Sequence, residues 1–415
     1  MTIIVDQFEI CRYFYNLQAL NRLALMLLKK RSICMLKNII FVHFSILMFV
    51  LGFGFNLEAK KFNSNSKNYK PRFLKSSNLN YEWGLSSWRW KEGLNDSLGV
   101  LLNVKINWEK ELLPNLLFQA SVDLKASKKR LQQHIFGSND SGVYSLRSAK
   151  LIGIPTKNLF IEAGILSESF WNKNLLISSS SSFIGFRQSW HILNIKNISV
   201  NWNLEQSTPP SDSNDSYRLN NEKLPYFFMS QWDIDWDIGY KKKQWNLKYN
   251  LFYTQYFNLP SIVAFQSGLL GNSTRGDAAS NSSFDFDFKI VGSGINLYYP
   301  LFGAGLESYL FFNYAADKSV ANARFLKLYF DKISLFSQDL SLVFENFFVE
   351  PDATISYYNS AAYGNNNREG FSVSLSWKIN NFSKIGLKYI QSSVINIDAF
   401  QEKLQSVSLG LESKI

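Results

Sequence analysis

The chain has 415 residues and a formal net charge of +11, with 35 Phe, 20 Tyr, 11 Trp, three His and two Cys. Both cysteines, Cys11 and Cys34, lie near the start, so the remaining chain holds no disulfide framework and no thiolate metal site. Its basic residues are dispersed, without the clustered motif that nucleic-acid binding requires.

Taken in chain order, residues 1–34 resemble neither a domain nor the start of an export signal, and they read as an upstream extension. Residues 35–59 read as a secretory signal peptide. Lys37 supplies the positive region, 39–55 the apolar run, and Ala59 the small residue at the cut. An apolar run of about 17 residues is at the short end for a membrane anchor. Residues 60–78, basic and rich in Asn and Ser, read as a flexible periplasmic lead-in.

From residue 79 to 415 the pattern changes to period two. The clearest case is 230–240, where Trp232, Ile234, Trp236, Ile238 and Tyr240 alternate with Gln231, Asp233, Asp235, Asp237 and Gly239. Successive side chains of a strand point to opposite faces, so such a segment has oil or a core on one side and water on the other. Sixteen such strands are expected, at about 79–90, 96–109, 114–127, 143–154, 157–168, 181–194, 197–206, 228–241, 244–258, 283–299, 301–315, 322–333, 339–350, 369–380, 383–392 and 404–415.

The joins segregate. After even-numbered strands they are short, as at Pro155-Thr156, Ile195-Lys196, 241–243, Pro300 and 380–382; after most odd-numbered strands they are long, at 128–142, 169–180, 207–227, 259–282, 351–368 and 393–403. The first and sixth of these loops, 91–95 and 316–321, are shorter than the rest. Short turns on one rim and long loops on the other predict an all-β, transmembrane, antiparallel up-and-down barrel of about 16 strands with short periplasmic turns and longer extracellular loops. A soluble sandwich would alternate similarly, but its strands are usually half this length.

With strands such as Leu98-Gly-Val-Leu-Leu-Asn-Val-Lys-Ile-Asn-Trp108, Phe371-Ser-Val-Ser-Leu-Ser-Trp-Lys-Ile379 and Val407-Ser-Leu-Gly-Leu-Glu-Ser-Lys-Ile415, residues 79–415 resemble the porin-type outer-membrane barrels of Gram-negative bacteria. The resemblance implies residence in the outer membrane, contact with its lipid and with the barrel-insertion machinery, and passage of small hydrophilic solutes or ions. A homo-oligomer is compatible with it. The family's last strand usually ends in an aromatic residue, whereas this chain ends in Ile415. In sixteen-stranded members the loop after the fifth strand folds inward, so the resemblance makes Phe170, Trp171 and Lys173 candidates for a constriction.

The residues themselves suggest what would line a pore. Asp233, Asp235 and Asp237 share one face, as do Asp285 and Asp287, and carboxylates about 7 Å apart belong in water rather than in a dry core. An acidic wall would attract cations. Lys105, Lys125, Arg187, Lys248, Lys327, Lys378 and Lys388 lie in strand segments with apolar residues on either side, and a lipid-facing cation at the midplane costs about 2–4 kcal/mol, so they are expected to point inward. Facing the acids, they would set up a transverse field across the lumen.

Other chemistry is poorly represented. Asp-x-Asp-x-Asp from 233 would need Gly at its sixth and Glu at its twelfth position to be a calcium loop, and Ile238 and Gln244 stand there. His134 and His191 lack a Gly-x-Ser-x-Gly elbow, so no catalytic residue, metal or cofactor is expected. Gly292-Ser-Gly294 and Gly303-Ala-Gly305 precede no helix and read as close packing or bends. The function expected is a passive channel with a charged lumen; an adhesin or envelope-assembly barrel working through its loops, and a barrel hydrolase, are the alternatives.

Overall fold

The computed structural model describes residues 78–414 apart from 94, 132–140, 196, 212–221, 239–244 and 336–337. The upstream extension, the signal peptide, almost all of the lead-in, His134, Tyr240, the 241–243 turn and Ile415 lie outside the described residues.

Period-two alternation becomes strand along most of its length: β1 (Asn78–Glu92), β2 (Asn95–Leu113), β3 (Leu116–Leu131), β4 (Ser141–Thr156), β5 (Leu159–Ser167), β6 (Ser182–Ile195), β7 (Ile198–Thr208), β8 (Tyr226–Ile238) and β9 (Trp245–Phe257). After a helix, α1 (Ser261–Leu269), and a small hairpin, β10 (Thr274–Arg275) with β11 (Ser283–Phe284), come β12 (Lys289–Tyr299), β13 (Ala304–Asn313), β14 (Asn322–Leu335), β15 (Gln338–Val349), β16 (Arg368–Lys378), β17 (Ser383–Val394) and β18 (Leu404–Lys414). All but β10 and β11 form one closed barrel of sixteen antiparallel staves, as the strand pattern and rim asymmetry predict. β1 closes it against β18 in register from Glu82↔Lys414 to Glu92↔Leu404. Closure leaves no unpaired edge, which is what a backbone surrounded by lipid requires.

The short joins turn on residues that tolerate left-handed backbone, Asn115 at φ 68° and Gly303 at φ 58°. Gly292 answers to close packing: a Cβ there would fall 2.3 Å from the Phe252 ring.

Outward positions form an apolar sleeve. Leu98, Val100, Leu102 and Trp108 on β2, Trp232, Ile234 and Trp236 on β8, and Leu326, Leu328 and Phe330 on β14 are all exposed. A continuous apolar surface on this scale exceeds what a soluble monomer shows to water. Aromatic pairs mark both rims, with Trp245 stacked on Tyr299 at 4.5 Å near the turns and Tyr226 beside Phe257 at 5.7 Å near the loops. Amphipathic rings at two levels are the girdle pattern of a membrane barrel.

The inside departs from the simple expectation of a polar lumen. In its loop half the inward positions carry Phe227, Met229, Phe252, Ile290, Phe311, Phe325 and Phe347, all buried. The reason is that three long loops, 168–181, 258–288 and 350–367, return into the barrel and bring apolar side chains with them, including Leu176, Val263, Ile355 and Tyr358. In the loop half the returning loops therefore pack an apolar cluster against the wall, and polar wall is left mainly in the turn half.

Candidate functional site

The loop after β5 starts in a single 3-10 turn, Glu168–Trp171, whose Ser169 N–H is capped by the Ser167 side chain and whose exit is Asn172 in the left-handed region. That turn drives Trp171 into the wall, where its indole Nε1 donates to Glu205 Oε2 at 2.9 Å. Glu205 also accepts from Arg187 Nη2 at 2.6 Å and Nε at 2.9 Å, while Arg187 Nη1 donates to Glu162 Oε2 at 3.1 Å. The Phe170 ring lies over the guanidinium at 4.3 Å. Arg187 is 1% exposed. The expectation that it lines an open pore is thereby corrected: the loop covers it, and it works as the loop's anchor.

Glu168 is buried against the same group, its Oε1 3.6 Å from Arg187 Nη2, with neither carboxylate oxygen hydrogen-bonded. Burial, reinforced by the neighbouring negative charge of Glu205, pushes its carboxyl well above the usual range.

Two residues after Trp171, Lys173 turns into the lumen and donates from Nζ to Gln231 Oε1 at 2.6 Å and to Trp171 O at 3.2 Å, over the Phe252 ring at 4.8 Å. Burial pulls its ammonium down to about 8, against the opposing pull of Asp233 and Glu307. Beneath it opens a cavity of about 270 Å³ lined by Phe170, Lys173, Asp233, Asp235, Lys248 and Glu307 among others. Five residues singled out separately in the sequence, Phe170, Lys173, Asp233, Asp235 and Lys248, thus line one cavity in the structure.

The wall around that cavity is an amide and ion-pair lattice. Asp233 accepts from Asn203 at 2.6 Å and Gln231 at 2.8 Å, Asp235 lies 3.5 Å from Lys248, and Asp237 accepts from Asn246 at 2.8 Å. Lys327 meets Glu307 at 3.4 Å and Lys388 meets Glu345 at 3.1 Å. Lys105 is in register with Glu82 and Asp123, and Lys125 with Asn103, on inward faces. Lys378 faces Lys384 in register at the turn end.

Asp285 and Asp287 are elsewhere. The strand expected at 283–299 begins only at residue 289, and the two acids lie in the bend between β11 and β12, Asp285 paired with Arg275 at 2.6 Å and Asp287 near Lys289 at 3.8 Å. Alternating Phe284 and Phe288 imitate a strand because both rings pack inward against each other at 4.9 Å. His191, at the turn end of β6, bonds to Asn201 and packs edge-on to Phe160.

The carboxylates Glu162, Glu168, Glu205, Glu307 and Glu345 went unnamed in the sequence reading. For Glu205 a signal existed, since Asn201, Asn203, Glu205 and Ser207 alternate with Trp202 and Leu204.

The long loop 350–367 joins the packing in the loop half. Asn272 Nδ2 donates to Pro351 O at 2.7 Å and Thr354 O at 2.8 Å, and Asn366 Nδ2 to the same two carbonyls at 2.7 and 2.5 Å. Thr354 Oγ1 donates to Leu176 O at 3.1 Å and Ser178 N to Tyr358 O at 2.7 Å, so the loop is tied to 168–181 as well.

No protein-family model matches the chain and no curated protein matches it. Among solved structures it is similar to OprB of Pseudomonas putida, at 9% identity over 82% of this chain and 94% of that one, with a TM-score of 0.53. It is also similar to a triple mutant of Rhodopseudomonas blastica porin (10% identity, 82% and 100% covered, TM-score 0.44) and to a loop-deletion mutant of OmpT, an outer membrane protein of Vibrio cholerae (8%, 82% and 99%, 0.47). The fold is that of the porin-type outer-membrane barrels.

Proposed function

We propose that this chain is an outer-membrane channel for small hydrophilic solutes and ions, narrowed by its own loops, in which no chemistry occurs. The observation that carries the reading is the charge-lined cavity of about 270 Å³ beneath the loop 168–181, inside a barrel whose outside is apolar. Hydrocarbon outside and charge within are the arrangement of a pore. Asp233, Asp235 and Asp237 on β8 lie six and seven staves round the ring from Lys378 on β16 and from Lys384 and Lys388 on β17, nearly across a lumen of sixteen. A transverse field of this kind would sort solutes by charge and dipole. Inward folding of 168–181 and 350–367 takes from the outer surface segments that an adhesin or assembly factor would display, which favours the channel over that reading.

Purified protein in planar bilayers is expected to give ohmic, cation-preferring steps. D233N/D235N/D237N should lower the cation preference measured by reversal potential, and an unchanged reversal potential would remove the acidic wall from the mechanism. The Lys173 ammonium is charged at neutral pH and loses its charge as pH rises past about 8. Cation preference should therefore grow between pH 7 and pH 9, and K173M should abolish that growth.

A further inference from the structure

The cavity beneath the loop 168–181 carries both signs of charge in balance. Asp233, Asp235 and Glu307 stand against Lys173, Lys248 and, behind Glu307, Lys327. An ion of one sign entering it meets as much repulsion as attraction, whereas a solute holding both charges can answer each.

Part of this charge is already committed. Asp233 accepts from two amides, Asn203 and Gln231, and Asp235 faces Lys248 in register at 3.5 Å. Three other groups keep capacity to spare. The Lys173 ammonium has three N–H donors; two go to Gln231 Oε1 and Trp171 O, and among the described residues it makes no ion pair although it is only 4% exposed. Glu307 meets Lys327 through Oε2 alone, at 3.4 Å, so among the described residues its Oε1 has no donor. Asn250, also in the lining, holds a buried Oδ1 that accepts nothing. A buried polar atom left without a partner asks for an occupant that supplies one.

The register sets these groups on successive levels of one wall. Lys248, Asn296 and Glu307 form one inward row, and Asn250 lies in the next row toward the loops, with Lys173 coming down from the loop above. A donor thus stands at the top of the cavity and acceptors stand below it.

We propose that this cavity is a transit site for α-amino acids, the solute's carboxylate on Lys173 and its ammonium on Glu307 and Asn250. The inference rests on the chain being a channel, and it names the class of solute that the channel holds in passage. A neutral solute answers neither charge, and a simple ion answers only one. At about 270 Å³ the cavity holds a small molecule of this kind.

Titration of the ion current in planar bilayers at pH 6 tests it with four solutes of one size. L-Alanine carries both charges, L-alaninamide only the ammonium, L-lactate only the carboxylate and L-lactamide neither. L-Alanine is expected to depress the current of the unaltered protein at a concentration about tenfold below that needed of the other three, the effect of one further charge-assisted contact. Lys173→Met should bring alanine level with alaninamide, and Glu307→Gln should bring it level with lactate, in barrels whose heat-modifiable migration shows that they are folded. The comparison among solutes needs no variant, so it decides the matter even where a substitution prevents folding. Equal titration by all four solutes, or an alanine advantage that survives both substitutions, would overturn the site and leave the channel standing. Absence of ohmic steps from the unaltered, folded barrel would instead sink the channel reading beneath it.

Discussion

Replacing Asn272 and Asn366 together by leucine is expected to free the loop 350–367 from the lumen and raise single-channel conductance several-fold. The two amides converge on the carbonyls of Pro351 and Thr354, and Asn272 Oδ1 also accepts from Ser356 N at 2.8 Å. Asn272 is 6% exposed and Asn366 fully buried, so no water stands ready to replace them. Each backbone group orphaned in such a place costs about 1–3 kcal/mol. Ile355 and Tyr358 oppose release through their burial; excision of 352–366 with a short Gly-Ser link sets the upper limit of the effect. Wild-type conductance with both amides gone, in a barrel that still folds, would show that this loop does not obstruct the path.

The second large effect is at the anchor of the loop 168–181. Arg187→Met leaves Glu205 and Glu168 buried with no cation beside them, and breaking a buried ion pair from one side costs about 3–5 kcal/mol. The expected result is a sharply lower temperature for the shift from folded to unfolded migration in gels. E168Q works in the opposite direction. Its carboxyl is held above the ordinary 4.5, mainly by burial, so once pH exceeds that value the folded protein binds a proton that the unfolded chain has released. Stability then falls as pH climbs from there through the raised value. Glutamine has no proton to lose, so E168Q should be the more stable protein at neutral pH and its decline should be flatter. Parallel curves for the two proteins between pH 4 and pH 9 would show that Glu168 carries no such cost.

Stave positions could be read from residues because each strand meets two solvents, and Trp232-Asp233-Ile234-Asp235 records both. The rim asymmetry needed only turn lengths. What could not be read was the destination of the loops. Residues 350–367 have no period, and their Tyr, Ile and Asn residues match partners from two other loops that are remote in sequence. Arg187 shows the same limit: its inward direction follows from its register with Glu162 and Glu205, but its burial depends on Phe170 and Trp171 arriving from the next turn. Phe284 and Phe288 misled for a related reason, since a ring packed into a loop core repeats every few residues just as a ring packed into lipid does.

The tie between Thr354 and Leu176 spans 178 positions, and that between Arg368 and Glu92 spans 276. The ties among the third, fifth and seventh loops all run through residues 350–367, which lie between the thirteenth and fourteenth staves. The cap that these loops form therefore rests on contacts of very long sequence separation, and it can form only after most of the chain has been made.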